Sequence, residues 1–132
     1  MKNIATSPKI YIKDSIVAKN ERGVFALSDI KKGELIETCP IIEIPENDPS
    51  NPTEGTLIQY IYYFGKSKNK QLLALGFGSI YNHTRIPNAI YKIKEKEAII
   101  EFIASKDINK DEEITVNYNY LLNDSKTPLW CE

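Results

Sequence analysis

The sequence is poor in the residues that build metal centres and covalent staples. Its 132 residues include two cysteines, one histidine, one methionine and one tryptophan. Cys39 and Cys131 lie far apart and form no C-x-x-C pair. With a single histidine they are too few for a structural zinc site. They are expected as free thiols in a reducing compartment, with a disulfide between them as the alternative. An excess of charge is missing too: 17 lysines and arginines face 18 aspartates and glutamates, for a net charge of −1. That leaves no electrostatic footprint for nucleic acid or an anionic membrane, and neither is expected as a partner. No apolar run approaches the length of a membrane span. The opening residues lack the apolar core of a signal peptide. A cytoplasmic location is expected, or a nuclear one in a eukaryotic or host-directed setting. Nothing matches a dinucleotide-binding glycine fingerprint or a P-loop.

What is present fits one ordinary globular domain spanning 1–132, with 42% hydrophobic and 27% charged residues. Short apolar runs recur between turn formers, the pattern of a mainly β domain. Lys9 to Lys13 alternates as a half-buried strand. Ile16 to Lys19 and Val24 to Leu27 read as further strands. Gly33 marks a turn that needs a free φ. Glu34 to Glu37 and Ile41 to Ile44 read as two strands broken by Pro40. Pro45 to Gly55 is a loop. Leu57 to Phe64 reads as a strand, with a short helix as the alternative. Gln71 to Leu75 is a short strand. Ala89 to Lys94 and Ala98 to Ala104 form a hairpin about Glu95-Lys96-Glu97. Lys106 to Glu113 is a polar turn region, and Ile114 to Tyr120 alternates as a strand.

One stretch does not fit a plain core. Gly78 to Tyr91 carries the lone histidine, His83, beside Asn82 and ahead of Pro87-Asn88. This concentration of hydrogen-bonding groups in apolar surroundings asks for a ligand or a tightly bonded turn.

Three segments in order resolve the question. Glu21-Arg22-Gly23-Val24-Phe25-Ala26 with Ile30-Lys31-Lys32-Gly33-Glu34 resembles the opening of a SET domain. Tyr81-Asn82-His83-Thr84-Arg85-Ile86-Pro87-Asn88 resembles its asparagine-histidine and proline-asparagine signature. Asp111 to Tyr120 resembles its closing glutamate-glutamate and tyrosine signature. Each segment alone is weak. Together, in order, they cover roughly residues 9 to 130.

The resemblance implies a protein-lysine methyltransferase that uses S-adenosylmethionine. It implies the β-clip fold, with several small curved sheets and a threaded C-terminal segment. Cofactor and lysine would enter from opposite faces of a channel. Carried over by position, Glu21, Arg22 and Gly23 would set backbone groups against the cofactor carboxylate. Asn82 would hold its methionine part, and His83 would offer backbone groups to the adenine. Tyr118 would be the active-site tyrosine. Trp130 would close over the adenine, as in members without a zinc-binding tail. Tyr91 and Val116 would line the lysine pocket, and that pairing suggests monomethylation. By analogy, a small domain of this kind pairs as a homodimer to complete a peptide groove.

The pattern also departs from the family. Glu21 stands for the first glycine of the usual turn, and Thr84 follows the histidine in place of serine. Asn117 and Asn119 flank Tyr118, where aspartate and glycine are usual. Thr38-Cys39-Pro40 replaces an upstream pocket tyrosine, and Tyr60, Tyr62 and Tyr63 are the candidates to fill that gap. The alternative function is a non-catalytic β-clip module that binds a protein or peptide. The bland alternatives for single residues are a core aromatic for Tyr91 or Trp130, and surface charge or a structural contact for Glu112-Glu113.

Overall fold

The computed structural model describes residues 3–49, 55–64 and 70–118. Their strands are β1 (Ile10–Asp14), β2 (Arg22–Ala26), β3 (Leu35–Ile44), β4 (Ile61–Phe64), β5 (Lys70–Ala74), β6 (Asn82–His83), β7 (Ala89–Lys94), β8 (Ile99–Ala104) and β9 (Glu113–Val116). They form two sheets among the described residues. One has the order β1-β2-β9-β6 and the other β4-β5-β3-β8-β7. The core between them is built by alternation: every second residue of β8 (Ile100, Phe102, Ala104) is buried, as are Ala89 and Tyr91 of β7.

Strand β9 is the late-arriving element that completes the first sheet. It pairs antiparallel with β2 through Val24↔Ile114 and Phe25↔Glu113. On its other side it pairs parallel with β6 through Asn82↔Thr115 and His83↔Val116. Beyond β6, Thr84 N donates to Val116 O at 3.0 Å. Asn88 then clamps β9 from the loop. Its Nδ2 donates to Glu113 O, and its Oδ1 accepts from Thr115 N, both at 2.9 Å. The 84–88 loop thus straps the strand that carries the closing motif.

Several sequence expectations change. Ile16 to Lys19 is not a strand but a bend, because its amides are taken elsewhere. Ile16 N and Val17 N donate to the Glu113 carboxylate at 2.7 and 3.2 Å. Both side chains are exposed. Pro40 does not break β3. It sits where the strand hands over from one neighbour to the other: Pro40 pairs with Ile99 of β8, while Ile41 pairs with Ala74 of β5. The Ile41 amide turns toward β8, donating to Ala98 O. The Pro40 nitrogen therefore faces the β5 side, at that ladder's end, where little is lost by lacking a hydrogen.

The break in β3 lies instead at a bulge between Leu35 and Glu37. A bulge defeats strict alternation, so Ile36 and Glu37 are both buried. Leu57 to Phe64 divides into a 3-10 turn, Leu57–Tyr60, followed by β4. The hairpin of β7 and β8 stands as expected, with Ala98 at φ 54° completing its turn.

Candidate active site

A pocket of about 440 Å³ opens where the end of β2, strand β6 and Tyr118 meet. Asn82, His83, Glu21, Arg22 and Tyr118 all line it. They come from three distant segments and meet because β9 lies between β2 and β6. The rim is the 17–19 bend, and the far wall includes Tyr60 and Ile80.

The site is locked by side chains bonded to backbone. Tyr118 N donates to His83 Nδ1 at 3.0 Å. That nitrogen is therefore the acceptor of the ring. The Tyr118 hydroxyl donates to Tyr81 O at 2.6 Å. The imidazole and phenol rings lie 5.2 Å apart, tilted by 41°. His83 thus directs its side chain onto Tyr118 while its backbone pairs with β9.

Behind Tyr118 stands an aromatic wall. The Tyr91 hydroxyl donates to Tyr118 O at 3.1 Å. Tyr62 meets Tyr91 edge-on at 5.0 Å and Tyr118 at 6.3 Å. Its hydroxyl donates to Gly78 O at 2.6 Å. Burial pushes the Tyr62 phenol well above its ordinary pKa, with Tyr118 and Tyr91 adding to the effect. It acts as a neutral donor. Of the three candidates for the missing upstream tyrosine, Tyr62 lies against Tyr91 and Tyr118, and Tyr60 lines the pocket. Val116 is fully buried in the core. Trp130 lies outside the described residues.

Beneath this wall a second buried carboxylate organises the 75–80 turn. Glu37 accepts from the Tyr81 hydroxyl at 2.8 Å and from Phe77 N at 3.0 Å. A Cβ at Gly76, whose φ is +62°, would come within 2.7 Å of Glu37 Oε2. Tyr81 is held above its ordinary pKa by burial and then by Glu37. The Cys39 thiol is pushed far up by burial, with Glu37 the next cause. Fully buried and held protonated, Cys39 packs as a small apolar side chain.

In the sequence Glu113 reads only as surface charge or a structural contact, and the contact is what the structure holds. It sits in an acidic turn segment, yet it is only 6% exposed and faces four donors. The only signal was its place in the closing motif. Among the described residues no group of three or more His, Cys, Asp and Glu side chains could hold a metal ion. No described helix is long and apolar enough to cross a membrane.

These features agree with the comparisons to known proteins. The SET domain family model matches residues 21–119. The chain belongs to the SET domain family. It is 34% identical over 98 residues to a Schizosaccharomyces pombe protein named histone-lysine N-methyltransferase, H3 lysine-37 specific. That match takes in 74% of this chain and 65% of the relative, so the chain spans less than two thirds of it. A crystal structure of a Plasmodium falciparum protein, provisionally named a histone methyltransferase, is 39% identical with a TM-score of 0.65. There the match covers 87% of this chain and 95% of the other. The fold also recurs in Chaetomium thermophilum Polycomb Repressive Complex 2 bound to S-adenosylmethionine. That likeness has a TM-score of 0.65 at 22% identity, over 86% of this chain and 15% of the other.

Proposed function

We propose that this chain transfers a methyl group from S-adenosylmethionine to the side-chain amine of a protein lysine. The observation that carries the reading is the meeting of Asn82, His83 and Tyr118 at one pocket. The pocket's volume falls in the usual range for small-molecule sites, roughly 300–1,000 Å³. Its residues suit the cofactor. Tyr60 and Ile80 offer flat and aliphatic surface for a nucleobase. Lys19 and Arg22 offer positive charge for a carboxylate, and Asn82 offers an amide. Membership of the family and the 34% identity to a histone-lysine methyltransferase support the same activity.

When bound, the cofactor supplies an electrophilic methyl on a sulfonium. The residues of this chain then act by placement. The lysine amine must arrive neutral, against a free pKa of about 10.4. The aromatic wall of Tyr62, Tyr91 and Tyr118 disfavours the ammonium form by desolvation. As the amine nitrogen bonds the methyl carbon, the sulfur–methyl bond breaks, and the amine proton leaves to solvent. The Tyr118 phenol oxygen is the group assigned to orient the amine and accept weak C–H contacts from the methyl. Its own hydrogen is directed at Tyr81 O, which fixes the oxygen's position. Tyr91 and Val116 are the residues assigned to the lysine end, and monomethylation is the product proposed. The substrate proposed is a histone tail or another cellular protein.

The test is transfer of radiolabelled methyl from the cofactor to core histones, followed by amino-acid analysis. Label recovered as monomethyl-lysine is expected. Abundant trimethyl-lysine would refute the product assignment. Cofactor binding without transfer to any protein would favour the peptide-binding module.

A further inference from the structure

We propose that Glu113 is a positioning residue for the cofactor's amino-acid tail, because its buried carboxylate, together with the Arg22 carbonyl, fixes which end of the Asn82 amide faces the pocket. The inference rests on the cofactor reading above.

Asn82 Nδ2 donates to Arg22 O at 2.9 Å and to Glu113 Oε2 at 3.0 Å. A carbonyl and a carboxylate oxygen both accept and neither donates. Turned over, the amide would set its oxygen against two acceptors. Its orientation is thus dictated by its neighbours' chemistry. Both amide hydrogens are spent, and Oδ1 is the atom left to serve a ligand. Asn82 can then recognise a donor, such as an amino or ammonium group, and rejects an acceptor. The carboxylate behind the amide nitrogen also polarises the amide, which makes Oδ1 a better acceptor for a cation.

The same carboxylate shapes the pocket rim. Glu113 Oε2 accepts from Ser15 Oγ at 2.7 Å, and Oε1 accepts from Ile16 N and Val17 N. Ser15 Oγ in turn accepts from Val17 N and Ala18 N at 3.1 and 2.9 Å. Val17 and Ala18 line the pocket. Gly23 is glycine for this reason: a Cβ there would collide with Glu113 Oε2. One side chain therefore couples the opening motif, the asparagine-histidine motif and the closing motif.

The experiment is calorimetric titration of wild type and Glu113→Gln with two probes. S-adenosylhomocysteine carries the amino-acid tail, and 5′-methylthioadenosine lacks it. A glutamine amide that keeps its oxygen on the Ile16 and Val17 backbone donors sets its own donor against the Asn82 nitrogen. The variant should bind S-adenosylhomocysteine about tenfold more weakly or worse, the scale of losing a hydrogen bond to a charged group. It should bind 5′-methylthioadenosine with a clearly smaller loss, since that probe meets only the pocket rim that Glu113 also holds. Equal losses for both probes, or no loss, would overturn the positioning role while leaving the cofactor reading intact. Wild type binding neither probe would remove both. If the variant does not fold, wild-type NMR decides. The Asn82 side-chain amide protons, identified by their loss in Asn82→Ala, should exchange with solvent at least about tenfold slower than a free side-chain amide. Exchange at the free rate would overturn the proposal.

Discussion

Replacing Asn88 with alanine tests whether the 84–88 loop straps β9 in place. The side chain makes two bonds to one strand: Nδ2 to Glu113 O and Oδ1 from Thr115 N, each 2.9 Å. Glu113 and Thr115 are only 6% and 5% exposed. Alanine leaves one buried carbonyl and one buried amide without that partner. An orphaned buried group costs about 1–3 kcal/mol, so the pair predicts a loss of about 2–6 kcal/mol. A domain of this size has about 5–15 kcal/mol in all. In urea, with a slope of about 1–3 kcal/mol/M, the unfolding midpoint should fall by about 0.7 M or more. Asn88→Asp keeps an acceptor for Thr115 N but sets its second oxygen against Glu113 O, so it should not restore wild-type stability. A change below about 0.5 kcal/mol, the range of an ordinary surface substitution, would refute the strap.

Further outcomes follow from the site. Tyr118→Phe deletes the hydroxyl bonded to Tyr81 O; methyl transfer should fall at least about tenfold, alongside a stability loss of about 1–3 kcal/mol for that bond, and equal rates would remove Tyr118 from its role. Tyr81→Phe takes one donor from buried Glu37 and should cost about 1–3 kcal/mol in urea unfolding. In a Cys131→Ser background, the remaining thiol should react with a disulfide reagent only as fast as the protein unfolds, since Cys39 is fully buried. Stability should also fall in alkali. The folded Cys39 thiol holds its proton to higher pH than the unfolded one. Above the unfolded value of about 8.5 the unfolded state therefore binds fewer protons, and stability drops by up to about 1.4 kcal/mol per pH unit. Tyr62 and Tyr81, also raised, steepen the fall above about pH 10. Urea midpoints of wild type and Cys39→Ala from pH 8 to 11 measure this, and identical pH slopes would contradict it.

The parts legible in the sequence are those where local pattern and long-range structure agree. The hairpin of β7 and β8 shows because its alternation matches its burial. Strand β5 shows for the same reason, while β1 and β2 show as short apolar runs between turn formers. Other parts depend on partners far along the chain. Ile16 to Lys19 has strand-like residues, but its amides are claimed by Glu113, nearly a hundred residues on. Pro40 reads as a breaker until the change of neighbour at that point is known. The two-residue strand β6 is too short to carry a period. Within the site, Asn82, His83 and Tyr118 stood out because motif order drew them together. Glu113 did not stand out beyond surface charge or a structural contact, because an acid in a charged turn gives no local sign of its burial. Its burial follows from Gly23 leaving room for it. The choice among Tyr60, Tyr62 and Tyr63 needed the turn at Leu57–Tyr60, which decides which ring faces the pocket and which the aromatic wall.

The most direct measurement is a crystal structure with S-adenosylhomocysteine and a lysine peptide. The proposed mechanism places the thioether sulfur and the lysine amine on either side of the Tyr118 hydroxyl, with the tail amine on Asn82 Oδ1. Ligand bound elsewhere, or a pocket with no opening from Tyr118 to the peptide, would contradict it.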